Sequence, residues 1–368
     1  MTLRVGITGI DGQFGFHLRA WLQYHCGHEV VGAGRRTFGS PEDLDDFVRG
    51  CDAIFHLAGV NRGTDEEVAD GNRGLAAALA IAVERAGTSP HLVYASSIQR
   101  LNDSVYGRAK AAAADILAEV SRKAGAPFAE LVLPNLFGEF TRPNYNSFVG
   151  TFCHRVAAGD EPTIHADNPV ELLHYLGAAE IVAEAISERK AGQIAVSGTN
   201  TSVGTVSAKL KSFRETYAAG VIPDFRDAFD LQLFNTYRSV LYPSIYPVAL
   251  EPRSDNRGSL VECVRTLNGG QAFYSSTHPG ITRGNHFHFG KVERFIVLAG
   301  EARISIRKIY SDEVQDFDVS GDRPCFIDMP TFHSHNITNT GSGELLTLFW
   351  AHEFFDQARP DTYAEPVR

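Results

Sequence analysis

Between Gly280 and Gly300 the chain spaces two histidines and a carboxylate in a way that few folds can use. One residue separates His286 from His288, Glu293 follows, and the run lies among short alternating apolar stretches. Side chains two apart on a strand share a face, so both imidazoles point one way, and Glu293, a strand-turn later, closes on them. A small β-barrel aims three ligands at one metal ion in this manner. A second segment, Pro330, His335 and Asn339, completes the set.

Such a barrel accounts for only the last part of a chain of 368 residues, so two domains are expected. From Arg4 to about Gly138 short apolar runs (3–8, 29–33, 53–57, 92–95, 129–133) alternate with helical patterns (14–26, 74–87, 108–123). That alternation predicts a parallel sheet with helices on both faces. Beyond about Pro243 helical runs largely vanish and turn signals punctuate short strands rich in Phe, Val and Ile, which predicts an all-β domain. The fold class is α/β, a Rossmann-type parallel sheet followed by an all-β barrel, with domains at 1–243 and 244–368. The boundary falls within 237–247, and 144–234 reads as a smaller mixed lobe over the first domain's ligand cleft. A net charge of −10 argues against nucleic-acid and acidic-membrane partners. No apolar run approaches a membrane span, and the N-terminus enters a strand pattern with no basic-then-apolar signal. Five cysteines without a CxxC pair read as reduced thiols, so a soluble cytoplasmic protein is expected.

The first strand leads into Thr8-Gly9-Ile10-Asp11-Gly12-Gln13-Phe14-Gly15 and the first helix. Gly9 permits the tight turn, Gly12 lets the backbone approach a pyrophosphate, and Gly15 lets helix pack on strand. The helix N-terminus then offers free N–H groups to phosphate. An acidic residue at the end of the second strand would bind the ribose of NAD. Arg35 and Arg36 stand there instead, which favours the 2′-phosphate of NADPH.

Tyr106 and Lys110 are four apart, hence on one helical face. A nearby ammonium is expected to lower the tyrosine's pKa, and the lysine can hold the cofactor's ribose. Ser97, after Ser96 at the end of the fourth strand, completes a Ser–Tyr–Lys constellation that protonates an oxygen while hydride reaches carbon.

The C-terminal pattern resembles the cupin family, which implies His286, His288, Glu293 and His335 as ligands of a divalent metal. Phe332 replaces the glycine usual in the second cupin motif, so that turn is expected to be built differently. The N-terminal set resembles the extended short-chain dehydrogenases, which act mainly on nucleotide sugars. It comprises the glycine loop, His56-Leu57-Ala58-Gly59, Ser96-Ser97, Tyr106 with Lys110, and Pro134-Asn135-Leu136-Phe137-Gly138. That resemblance implies cofactor contacts at Asp11, Gln13, Phe14, Leu57, Ala58, Gly59, Ser96 and Asn135. The arginine common before Pro-Asn is absent, and Arg142, with Asn135 and Asn146, is the candidate for holding the sugar diphosphate.

Over nearly its full length the chain resembles the bifunctional capsule and O-antigen reductases of the CapF type. The resemblance implies a UDP-linked 4-keto-6-deoxy amino sugar as substrate. The chemistry explains the pairing of domains. A C4 ketone acidifies the C3 proton, a Lewis-acidic metal on that ketone stabilises the enolate, and return of the proton on the other face inverts C3. Reduction removes the ketone, so epimerisation comes first. Three imidazoles and a carboxylate suit zinc, iron, manganese or nickel, and non-redox chemistry puts zinc first. Lys291, Tyr274, His333 and His352 are candidates for the base, Lys291 also for substrate contact. A homodimer is the expected assembly. Two rival classes are a cupin dioxygenase or isomerase fused to an ordinary sugar epimerase, and a non-enzymatic NADP sensor, although a sensor has no need of Tyr106 and Lys110.

Overall fold

A computed structural model describes residues 2–225 and 227–368. Packing divides the chain into two compact units, 1–147 with 167–202, and 148–166 with 203–368.

The first unit is built on a six-stranded sheet, all parallel, ordered Glu29–Ala33, Arg4–Thr8, Ala53–His56, His91–Ser97, Phe128–Leu133, Gly192–Ala195. Its strands are continuous apolar runs because both faces are covered. Val5, Ile7, Phe55, Val93 and Leu131 pack with helices Gln13–Ala20 and Tyr175–Ser187. Ile54, Leu92 and Tyr94, alternate residues of the same strands, face helices Pro41–Arg49, Asp65–Ala86 and Val105–Ala124. A capping box, in which Thr64 and Glu67 each accept the other's backbone N–H, starts the second of these helices at Asp65, earlier than the residue 74 that the alanine-rich pattern implied. The strand order turns back beside Arg4–Thr8, and ligand crevices form outside the carboxyl ends of strands at such a point.

The second unit carries two five-stranded antiparallel sheets. One runs Val248–Ala249, Cys325–Met329, Glu293–Ala299, Leu345–Ala351, Gln271–Thr277; the other runs Val314–Ser320, Glu301–Lys308, His333–Asn339, Thr282–Phe287, Tyr363–Ala364. Phe295, Ile327, Met329 and Phe349 from the first sheet meet Ile304, Ile306, Phe317 and Ile337 from the second in one core. The expected all-β character holds, but the hydrogen bonding gives two sheets and no closed barrel among the described residues.

The division by packing does not fall at residue 243. Helices Phe148–Ala158, Val203–Ala218 and Ala228–Leu241 belong with the β unit, and of the anticipated mixed lobe 144–147 and 167–202 stay with the parallel sheet. Buried polar anchors explain this. Arg238 donates to the carbonyls of Met329 at 2.6 Å and Lys291 at 3.1 Å. Tyr217 donates to Asp328 at 2.6 Å, and the same carboxylate receives the fork of Arg294 at 2.6 and 2.9 Å. A pattern of apolar residues does not reveal such ties.

Candidate active site and metal centre

In the first unit the glycine loop has the geometry a pyrophosphate needs. Gly9 adopts φ 73°, in the left-handed region that favours glycine. A Cβ on Gly15 would lie 2.5 Å from the Gly9 carbonyl oxygen, so the helix could not approach. Behind the loop, Thr8 Oγ1 accepts from the N–H groups of Leu57 at 3.1 Å and Ala58 at 3.0 Å. Its own proton therefore goes to His56 Nδ1, 2.9 Å away. Burial, with the nearby Lys110 ammonium, pushes His56 down to about 3, consistent with a neutral acceptor ring. Arg35 and Arg36 are exposed and open the short helix Arg35–Phe38 after Gly34.

Lys110 and Tyr106 share a helical face as expected, and the lysine is buried. Its ammonium donates to the carbonyl of Ala95 at 3.0 Å, lying 5.0 Å from the Tyr94 ring centre and 5.7 Å from that of Tyr106. The expected lowering of Tyr106 is reversed here. Burial pushes its phenol up to about 12, because the ammonium is engaged with a carbonyl rather than the phenol. Burial likewise pushes Lys110 down to about 8. Ser97 ends its strand and accepts from the N–H of Gln99 at 3.2 Å, while the hydroxyl of Ser96 is buried without a hydrogen-bond partner. Asn135 is exposed and donates to the Glu171 carbonyl. Arg142 is exposed, and Asn146 accepts from Arg62 at 3.1 Å.

In the second unit the four expected ligands converge. Donor atoms of His286, His288, Glu293 and His335 all lie within 4.8 Å of one another. Glu293 Oε2 stands 3.2 Å from His288 Nε2 and 3.5 Å from His335 Nε2. His288 Nδ1 donates to the carbonyl of Asp361 at 2.5 Å, and His335 Nδ1 to that of His333 at 3.1 Å. Carbonyls only accept, so both rings carry a proton at Nδ1 and turn Nε2 towards the carboxylate. Nε2 of His335 is buried with no hydrogen-bond partner. Burial, helped by the imidazoles of His335 and His288, pushes His286 down to about 3, and burial lowers His335. Burial works to raise Glu293, but His288 and His335 outweigh it and hold the carboxyl below the usual carboxylate range. An orphaned buried nitrogen beside an anionic carboxylate fits a divalent cation.

Two local devices aim these groups. The register of Thr282–Phe287 shifts between Gly284 and His286, with Asn285 at φ 60°, a bulge that re-aims the first histidine. Phe332 stands at φ 59°, so the turn keeps the left-handed backbone that glycine supplies rather than being built differently. Complete burial of its ring and a bond from its N–H to the His288 carbonyl at 2.9 Å offset a cost of about 1–2 kcal/mol. The candidate bases are placed unevenly. Tyr274 is 73% exposed. Lys291 donates to the Pro360 carbonyl at 2.8 Å, His333 Nδ1 donates to Thr331, and His352 Nδ1 accepts from Val292.

Residues 5–196 match the model of the NAD dependent epimerase/dehydratase family. The chain is 34% identical over 98% of its length, and 98% of the relative's, to UDP-2-acetamido-2,6-beta-L-arabino-hexul-4-ose reductase of Pseudomonas aeruginosa. It belongs to the NAD dependent epimerase/dehydratase family. Residues 253–363 match the polysaccharide biosynthesis C-terminal domain. The crystal structure of the capsular polysaccharide assembling protein CapF from Staphylococcus aureus aligns with TM-score 0.63 and 30% identity, covering 99% of this chain and 100% of that one. UDP-N-acetylglucosamine 4-epimerase from Bacillus cereus, 24% identical with TM-score 0.53 over 58% of this chain and 82% of its own, shares the fold of the family. The chain is thus a nucleotide-sugar enzyme of this family with a Rossmann-type domain and a C-terminal all-β domain.

Three residues of this family member escaped the sequence. Thr8 organises the 56–58 turn. Arg62 ties Asn144 and Asn146 together, donating to the Asn144 carbonyl at 2.7 Å with its guanidinium over the Tyr145 ring. Asp361 holds His288 through its backbone carbonyl. Only Thr8, adjacent to the first glycine, carried a local signal.

Proposed function

We propose that this chain is a bifunctional nucleotide-sugar enzyme acting as a cytoplasmic homodimer. Its cupin-type β unit epimerises C3 of a UDP-linked 4-keto-6-deoxy-N-acetylhexosamine, and its parallel-sheet unit then reduces C4 with NADPH, towards UDP-N-acetyl-L-fucosamine for capsule or O-antigen. The Pseudomonas aeruginosa relative, named as a reductase of a 4-hexulose, supports the second step. The observation that carries the first is the convergence of His286, His288, Glu293 and His335 with Nε2 of His335 buried and without a hydrogen-bond partner.

A divalent ion held by those four residues, zinc first among the metals that suit them, would supply a Lewis acid for the C4 ketone. NADPH held along the glycine loop, with Arg35 and Arg36 at its 2′-phosphate, would supply hydride. The remaining work falls to side chains of the first unit. Ser97 holds the ketone oxygen. Tyr106, whose phenol burial keeps protonated, gives its proton to that oxygen as C4 is reduced. Lys110 orients the phenol and the ribose from the same helical face. Arg142, Asn146 and Asn135 hold the diphosphate and sugar.

The test is incubation with NADPH and a UDP-4-keto-6-deoxy-hexosamine in deuterated water. Deuterium at C3 of a C4-reduced product is expected. A reduced product without deuterium would remove the epimerisation step. C3-inverted, C4-reduced product made by a His335→Ala protein would remove the four-residue cluster from the epimerisation step.

A further inference from the structure

We propose that the C-terminal segment from Pro360 to Val367 is a working part of the metal centre, with Asp361 the positioning residue that fixes His288. This rests on the metal reading above and names a residue that reading does not contain. One carboxylate gathers three successive backbone donors of the loop behind the ligand. Asp361 Oδ1 accepts from Phe289 at 2.9 Å, and Oδ2 from Gly290 at 2.9 Å and Lys291 at 2.8 Å. The carbonyl of the same residue accepts from His288 Nδ1 at 2.5 Å. Presenting side chain and carbonyl to one loop requires an unusual backbone, and Asp361 has φ 40°. Such a conformation persists in a non-glycine residue only when its surroundings fix it.

The segment reaches His286, the ligand on the strand Thr282–Phe287, too. Ala364 is paired with His286 and Tyr363 with Phe287, antiparallel. Glu365 donates its N–H to the Asn285 carbonyl at 2.9 Å, and Val367 to Asn285 Oδ1 at 3.2 Å. Lys291 closes the loop from the opposite side through the Pro360 carbonyl at 2.8 Å. A histidine's ligating nitrogen is aimed by the bond its other nitrogen makes, so holding the Asp361 carbonyl in place holds Nε2 of His288 on the metal. Lys291, taken from the sequence as a substrate contact, serves this clamp.

The experiment uses the full chain stripped of metal and titrated with Co(II), followed by visible absorption and by competition with a chelator of known affinity. Wild type is expected to take up one ion. Asp361→Ala should bind about 10–100-fold more weakly, with an altered Co(II) spectrum, while dinucleotide binding by the first unit is unchanged. Arg359→Ala, an exposed residue just before that segment, should behave as wild type. If Asp361→Ala does not fold by near-UV circular dichroism, Asp361→Asn, which keeps an acceptor oxygen, carries the same measurement with a smaller loss. Wild-type affinity and spectrum in the folded variant would overturn the proposal alone. Failure of the wild-type chain to bind any ion would overturn the metal reading and this proposal with it.

Discussion

The ammonium of Lys110 is bonded to the carbonyl oxygen of Ala95 at 3.0 Å inside a fully buried site. Burial lowers its pKa to about 8, against about 10.4 in an unfolded chain. The unfolded chain therefore binds its proton more tightly, and the cost to stability is complete below pH 8 and fades as pH rises to about 10.4. Lys110→Met is expected to raise the melting temperature at pH 7 by a gain on the order of 2 kcal/mol, shrinking towards pH 10.5. Turnover with NADPH should fall at least about 100-fold. A variant equally destabilised at both pH values would refute the burial argument.

Acid should act on the first unit through His56 and His17, both lowered by burial first of all. A ring held near 3 in the fold and near 6.5 when unfolded loses stability as pH falls through 6.5, by about 2 kcal/mol for His56 at pH 5. Urea midpoints at pH 7.5 and 5.0 will measure it, and His56→Leu should flatten the slope by about one proton. Thr8→Val strands two N–H donors and the His56 ring, and should cost about 3 kcal/mol at either pH. A slope unchanged in His56→Leu would count against the assignment.

These effects also mark where sequence stops informing. Five of the six parallel strands were legible because apolar runs buried on both faces are a local signal, whereas Gly192–Ala195, largely exposed, carries none. The cluster of His286, His288, Glu293 and His335 was legible from its spacing. Asp361 was not, because its partners lie 70 to 73 residues earlier and nothing local marks an aspartate that will gather three N–H groups. The rise of Tyr106 was missed for a different reason. Helical spacing gives the shared face of Tyr106 and Lys110, but whether burial or the ammonium wins depends on the partner the ammonium takes. Packing groups two helices that precede residue 243 with the β unit because Arg238 and Tyr217 tie them to it through polar bonds, which no apolar pattern marks.

In the proposed function, cofactor choice turns on Arg35 and Arg36. Both are exposed beside the glycine loop, and a Cβ on Gly34 would lie 3.3 Å from Asp11 Oδ2, so an acidic group stands close to the two arginines at the end of the second strand. Replacing both arginines by alanine should raise the KM for NADPH about tenfold or more by removing charge-assisted bonds to the 2′-phosphate. The KM for NADH should change little. Equal changes for both cofactors would assign the arginines a structural role.

His335 separates the two proposed steps because its ring lies wholly in the β unit. Its Nδ1 is committed to the His333 carbonyl, so only Nε2 is left for an ion. His335→Ala should abolish deuterium uptake at C3 while the protein still reduces a 4-keto sugar that already has the inverted C3. The wild-type chain should gain about 2.7 kcal/mol of stability when the ion is supplied at 100 times its dissociation constant, and His335→Ala should gain far less. Thermal denaturation with and without a chelator reads the second effect independently of any turnover. If His335→Ala kept full C3 exchange, the base and the acid for that step would have to lie elsewhere, and the four-residue cluster would be structural.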